Sequence, residues 1–161
     1  MVSVIQRVKK LRLRLAYLRV SPGAVTLPST IKKISLEFAR RNAGGHMGPR
    51  KFWRDYLPGI KFYNPDVELS VNRPELVGGK AEMTVETANG EKKTFNILNK
   101  TQQDIMAELT KAYSATPIPV SEEDKQLAQQ YLQWKIDEER KEVEREARKA
   151  KRKADRAEGL L

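Results

Sequence analysis

The sequence predicts an α/β fold, a mixed sheet with flanking helices, on three observations. The stretches 31–38, 67–71, 81–87 and 92–98 alternate apolar and polar residues, as half-buried strands do. The stretches 49–60 and 102–113 carry apolar residues at helical spacing. Asn89-Gly90 joins the last pair of strand-like stretches, and that dipeptide is the strongest short-range hairpin signal.

The first element is a helix. Val4, Val8, Leu11, Leu15 and Leu18 recur every three or four residues, with Arg7, Lys9, Lys10, Arg12, Arg14 and Arg19 between them. The result is a basic amphipathic helix over 3–19, ended by Ser21-Pro22-Gly23. After a break at Pro28-Ser29, Ile34, Leu36 and Phe38 alternate as the first strand. The loop Asn42-Ala43-Gly44-Gly45-His46-Met47-Gly48 follows, and Pro49 suits the first position of a helix, where its missing N–H has no partner anyway. Phe52, Tyr56, Leu57 and Ile60 share one face of that helix, which leaves Arg50, Lys51 and Arg54 to solvent or a ligand. Pro58 predicts an end or kink near Tyr56–Leu57.

Asn64-Pro65 turns the chain into a second strand at Val67–Val71, and Gly78-Gly79 separates it from a third at Ala81–Thr87. A fourth strand covers Lys92–Leu98. Thr101-Gln102-Gln103-Asp104 has the form of a capping box with Asp in place of Glu. Ile105, Met106, Leu109 and Tyr113 give the helix behind it an apolar face. Thr116-Pro117-Ile118-Pro119-Val120 reads as a stiff linker. Ser121-Glu122-Glu123-Asp124 then opens a helix running to about Arg156, roughly 50 Å long at about 1.5 Å per residue. Leu127, Tyr131 and Trp134 are expected to anchor its first turns on the domain. Farther on, apolar positions shrink to Ile136, Val143, Ala147, Ala150 and Ala154, and pairs such as Asp137–Lys141 and Glu144–Arg148 support the helix in water.

Charge is segregated. The 161 residues carry a net +10, yet 1–64 hold 14 Lys/Arg against two acids, which is +12. Residues 65–121 sum to −2, and 122–161 balance at eleven of each sign. Basicity confined to one part of the chain reads as a footprint for a polyanion, nucleic acid or an anionic membrane surface. No apolar run approaches the roughly 20 residues of a membrane-spanning helix. Cysteine is absent, which removes disulfides, thiolate metal sites and thiol chemistry.

The run Gly45-His46-Met47-Gly48-Pro49-Arg50-Lys51-Phe52-Trp53, continued by Leu57-Pro58 and Lys61-Phe62-Tyr63-Asn64-Pro65, resembles a known family. It is similar to the thioredoxin-like domain shared by mitochondrial ribosomal proteins of both subunits and a small accessory subunit of respiratory complex I. Within that group it most resembles the fungal large-subunit member. The pattern G-x-R-K-F, then L-P and N-P, is met by Gly48, Arg50, Lys51, Phe52, Leu57, Pro58, Asn64 and Pro65. The resemblance covers about residues 8–115 and is densest from His46 to Pro65. It implies a thioredoxin-like domain over 31–116; the residues themselves place a basic helix and loop at 1–30 before it and a Pro linker and charged helical extension at 117–161 after it. It also implies a structural role in the mitochondrial large ribosomal subunit, in the matrix, with ribosomal RNA and neighbouring ribosomal proteins as partners. A small-subunit protein is the alternative within the family. A complex I scaffold is the alternative outside the ribosome, but it has no evident need for +12 in 64 residues. A peripheral membrane protein, with its first helix on anionic lipid, is a weaker reading.

Where thioredoxins carry C-x-x-C, this chain has Gly44-Gly45-His46-Met47-Gly48-Pro49, so the exchange chemistry of that fold has no thiolate to run on. We expect no enzyme, no cofactor and no metal site: His46 stands without an acid or nucleophile pattern, and zinc wants three or four ligands. The same turn suits phosphate, because a helix N-terminus offers free N–H groups and glycines let an anion approach the backbone. The expected RNA contacts around it are Arg40, Arg41, His46, Arg50, Lys51, Arg54 and Lys61. On the first helix they are Arg7, Lys9, Lys10, Arg12 and Arg14. Trp53 is read as a packed aromatic before a base-stacking one. The first helix also fits a mitochondrial targeting segment, and we read it as retained, both addressing the protein and binding phosphate.

The last helix reads as a ribosome-docked extension, ahead of a purely solvated helix or a coiled-coil partner. Its residues 122–146 sum to −4 and 147–161 to +4, so Arg148, Lys149 and Arg152, with Arg156 near the end, would reach RNA. Ion pairs add only about 0.2–0.5 kcal/mol each to an isolated helix. Hydrogen exchange on the free protein should therefore find 121–136 protected and 137–157 open; equal, strong protection along the whole helix would remove the basis for docking.

Overall fold

The computed structural model describes residues 3–75 and 79–157, with side chains to Ala154. Gly78, half of the expected break, and the Arg156 side chain lie outside that description. The chain forms two compact units, one of Leu18–Val120, the other of the residues up to Tyr17 together with those from Ser121 onward.

In the 18–120 unit, β2 (Ile31–Glu37) is the central strand. β3 (Glu68–Asn72) runs parallel to it on one side, β4 (Glu82–Thr87) antiparallel on the other, and β5 (Lys92–Asn96) antiparallel to β4, giving the order β3-β2-β4-β5. A parallel β2–β3 pair needs a crossover. α2 (Met47–Asp55) and α3 (Leu57–Tyr63) supply it, and α4 (Gln102–Tyr113) follows the β4–β5 hairpin. This is the mixed sheet with flanking helices that the sequence predicts. Ile34, the centre of the register, lies between Leu69 and Val85. Phe38, Phe52, Ile60, Met83, Ile97, Ile105 and Leu109 are fully buried around it. Each such side chain contributes about 1.5–3 kcal/mol by leaving water.

The Asn89-Gly90 hairpin forms with a loop of 88–90: Gly90 N–H bonds Thr87 O at 3.0 Å, and Thr87 N–H bonds Glu91 O at 2.9 Å. Gly90 takes φ +83°, the left-handed position of a three-residue hairpin loop. α2 and α3 are separated at Tyr56, as Pro58 predicts, because that residue has no N–H for the carbonyl one turn back. Pro49 sits two steps deeper than expected. α2 begins at Met47, so Pro49 is its third residue, where the N–H is still an unpaired one. The capping box is complete: Thr101 Oγ accepts from Asp104 N–H, and the Asp104 carboxylate accepts from Thr101 N–H.

Thr116-Pro117 is not a free linker. It forms β6 and pairs antiparallel with β1 (Val25–Thr26), and Ile118 N–H bonds Ala24 O at 3.1 Å. Asn64 fastens β1 to α3. Its buried amide donates to Val25 O and Ile60 O, both at 2.8 Å, and accepts from Leu27 N–H at 2.7 Å. The bonds to Leu27 and Val25 span 37 and 39 residues of sequence, so no local pattern announces them.

In the other unit, α1 (Val4–Val20), up to Tyr17, runs antiparallel to the first turns of α5 (Glu122–Ala157), since Tyr17 meets Tyr131 and Lys10 meets Trp134 and Glu138. Tyr17 packs on Tyr131 with ring centres 5.1 Å apart, and Lys10 sits over the Trp134 ring at 4.2 Å and 3.7 Å from Glu138. Tyr131 and Trp134 thus meet α1, where the sequence suggested the domain. The contact face of α1 includes Lys10, Leu13 and Tyr17, while Val4, Val8 and Leu11 of the expected apolar stripe stay exposed. The Ser121 hydroxyl caps α5 by accepting from Asp124 N–H at 3.1 Å. Asp137 pairs with Arg140 at 3.2 Å in place of Lys141.

The tightest packing joins α2 to the loop before α4. A Cβ on Gly48 would stand 1.7 Å from Lys100 O. Gly48→Ala should therefore lower the unfolding free energy by about 2–3 kcal/mol, beyond the roughly 1 kcal/mol expected of Thr101→Ala at the cap. Urea unfolding measures both, and an unchanged Gly48→Ala midpoint would show that the loop gives way freely.

Candidate nucleic-acid interface

The basic residues near the β2–α2 turn divide into two places. After β2 the chain stays beside the end of β3, since Phe38 N–H bonds Asn72 O at 3.2 Å and Arg40 N–H bonds Pro74 O at 2.9 Å. Arg40 and Arg41 thus emerge next to Arg73 and Glu75, beyond the carboxyl ends of two parallel strands, where open α/β sheets bind ligands. The left-handed Gly44 and Gly45, φ +68° and +85°, turn the chain into α2, whose first turns carry Arg50. Arg40, Arg41, Asn42, Arg50, Arg73 and Glu75 line an open cleft of about 520 Å³.

Within the cleft, Arg50 Nη1 donates to Arg40 O at 2.9 Å, and Arg73 Nη2 reaches the same oxygen at 3.5 Å. The Arg73 guanidinium lies 4.7 Å from the Trp53 ring centre and 5.7 Å from that of Phe38. Trp53 is accordingly a packed aromatic with Arg73 over it. Arg73 Nε is buried and has no hydrogen-bond acceptor among the described residues. Arg40 pairs with Glu75 at 3.1 Å, a mostly exposed contact of the kind worth about 0–1 kcal/mol.

The second place is the glycine-rich N-terminus of α2, and here the expectation needs correcting. A Cβ at Gly45 would stand 2.0 Å from Asn99 Oδ1, and Asn99 N–H bonds Gly45 O at 3.1 Å. With Gly48 against Lys100 O, local packing by itself requires both glycines, so they are no sign of an anion site. Lys51 lines a hollow of about 290 Å³ here, with Lys100 and Thr101. Lys100 is already paired with Glu108. The hydrogen bonds from Thr101, its hydroxyl first and then its backbone N–H, hold the Asp104 carboxyl below its usual range, so a negative charge occupies the start of α4.

His46 is corrected too. It is fully buried, so it does not reach a nucleic acid; its Nδ1 accepts from Ala39 N–H at 3.2 Å and ties the end of β2 to the start of α2. Lys61 Nζ donates to Pro65 O and Val67 O, each at 2.9 Å, and so holds the loop before β3. Arg54 is bidentate on Asp55 at 2.6 and 2.9 Å, which offsets its charge. In the other unit Arg7, Lys9, Arg12 and Arg14 are exposed on α1, as are Arg148, Lys149 and Arg152 on α5, while Lys10 is engaged by Trp134 and Glu138. Of the expected contacts, the fold brings Arg40, Arg41 and Arg50 together. It adds Arg73, which sequence reasoning passed over because it falls in the acidic middle of the chain; its one signal is its place just after a strand.

The buried His46 makes a prediction about stability. His46→Ala should cost about 2 kcal/mol or more through the cavity and the missing bond to Ala39, with no change in the salt dependence of RNA binding. Thermal unfolding and a salt titration together check it; a flattened slope at unchanged stability would return His46 to the surface.

Residues 49–102 match the mitochondrial ribosomal protein L51 / S25 / CI-B8 domain. The chain is 46% identical over 85 residues to the large ribosomal subunit protein mL61 of Neurospora crassa, a match covering 53% of this chain and 42% of that protein. It therefore spans less than half the length of the Neurospora relative. It is 31% identical over 106 residues to mL61 of Saccharomyces cerevisiae, covering 63% of this chain and 77% of the yeast protein. Against mL61 of Schizosaccharomyces pombe it is 23% identical over 122 residues, covering 73% and 90%. With more than three-quarters of the yeast protein matched at that identity, the chain belongs to the family of the large ribosomal subunit protein mL61.

Proposed function

We propose that this chain is a structural, non-catalytic constituent of the large subunit of the mitochondrial ribosome, held there by ribosomal RNA and neighbouring ribosomal proteins. The observation that carries the RNA part is the +12 carried by residues 1–64, with Arg7, Lys9, Arg12, Arg14, Arg40 and Arg41 on exposed positions. Phosphate contacts made by such side chains supply sequence-independent affinity and fix orientation on the nucleic acid. Family membership supports the ribosomal setting and the mitochondrial matrix. No helix among the described residues is long and apolar enough to cross a membrane. The absence of cysteine supports the non-catalytic reading within this fold. On α5, Arg148, Lys149 and Arg152 are further exposed basic residues.

Epitope-tagged protein in a mitochondrial lysate should co-sediment with the large subunit after the subunits are dissociated. Migration with the small subunit would move the assignment within the ribosome, and exclusive recovery in a respiratory-complex fraction would defeat it. For the purified chain, log affinity for mitochondrial rRNA should fall linearly with log salt. Replacing Arg7, Lys9, Arg12 and Arg14 by Ala should lessen that slope by about 0.7–0.9 for each phosphate no longer neutralised. An unchanged slope would leave α1 merely solvated.

A further inference from the structure

We propose that the cleft lined by Arg40, Arg41, Arg50 and Arg73 is a built phosphodiester site for ribosomal RNA, with Glu75 as its displaceable internal counter-ion. The proposal rests on the RNA-binding reading above and names a site within it. Its first support is convergence. Arg50 and Arg73 both reach Arg40 O, and the Arg40 side chain belongs to the same cleft, so the fold gathers positive groups that repel one another. An anion seated among them relieves that repulsion.

The second support is preorganisation. Arg73 is fixed between the Trp53 and Phe38 rings and Arg40 O, and its buried Nε–H lacks an acceptor among the described residues. A guanidinium presents its N–H groups as a planar fork, and such forks match the two free oxygens of a phosphodiester. Arg41 is exposed and makes no hydrogen bond or ion pair among the described residues, which leaves all its donors for a ligand.

The third support is what already occupies the place. The Glu75 carboxylate on Arg40 shows that the cleft accepts an oxyanion, and with side chains 66% and 84% exposed that pair yields readily. A phosphodiester favours the open geometry because a continuous backbone can pass through without an end. A carboxylate from an acidic segment of a neighbouring protein is the competing ligand.

Binding of the full chain to mitochondrial rRNA, measured across a salt series, tests the site. Arg41→Ala and Arg73→Ala should each weaken binding several-fold to tenfold and lower the salt slope by about 0.7–0.9. Glu75→Gln should strengthen binding a few-fold, an effect of opposite sign from one cleft. Arg73→Lys keeps the charge, removes the fork, and should fall between wild type and Arg73→Ala. Because Arg73 packs on aromatic rings, its variants are read only alongside a melting curve, and Arg41→Ala, on an exposed side chain, carries the test if they unfold. The proposal is overturned if Arg41→Ala and Glu75→Gln leave affinity and slope unchanged while the four-alanine α1 variant fails to bind; RNA binding then stands without this cleft. Failure of the wild-type chain to bind rRNA at all would remove both. A polyglutamate peptide that binds the cleft at salt concentrations where rRNA does not would assign it to protein.

Discussion

The close approach of Gly48 to the carbonyl of Lys100 is the constraint on which the rest of the 18–120 unit depends. It seats the first turn of α2 directly on the backbone that leads into α4, at a separation that no side chain permits. His46, buried just before it, reaches Ala39 and so fixes the other side of the same turn to the end of β2. With both contacts made, α2 has one position, and Arg50 falls within reach of Arg40 O. A side chain at residue 48 would lift the helix and part the two arginines. The turn that carries the redox pair in thioredoxins serves here as a packing joint.

That joint explains why charge near the turn is distributed unevenly. On the α4 side, Asp104 completes the helix cap and Glu108 takes Lys100, so the local field is close to balanced. On the β3 side, four arginines face a single carboxylate on the cleft wall. Like charges gathered in one cleft repel one another, which costs free energy. The shared carbonyl of Arg40 and the rings of Trp53 and Phe38 offset part of that cost. A ribosomal neighbourhood rich in phosphate would offset the remainder.

The α1–α5 unit follows a different logic. Its contacts join the two ends of the chain through a tyrosine pair and a lysine over a tryptophan. Lys10 beside Glu138 shows opposite charge on the two helices meeting face to face, at a distance and exposure where the pair adds little energy. The contacts to aromatic rings therefore dominate, the tyrosine pair contributing about 0.5–1.5 kcal/mol beyond its buried area. Farther along α5 every residue from Arg140 to Ala154 is exposed, so that stretch has only helix propensity and local pairs to hold it, which leaves it marginal in water.

Local chemistry made much of this legible. The alternation of Ile34, Leu36 and Phe38, the capping box at Thr101, the break before Pro58 and the hairpin at Gly90 each depend on residues within a few positions, and each appears where the pattern puts it. The family motif was legible for the same reason: its Gly48 and Asn64 sit at fixed sequence offsets, although their work is done against Lys100 and Val25. What the sequence could not determine is pairing between residues far apart. The β1–β6 ribbon, the meeting of α1 with α5, and the arrival of Arg73 among arginines 40, 41 and 50 each bring together residues far apart in sequence. Counting charge along the chain assigned Arg73 to an acidic stretch, and the glycine-rich pattern assigned His46 to a polar loop. Only the tertiary structure put the first into a basic cleft and the second into the core, because a field is summed over neighbours in space and burial is set by what packs above a residue.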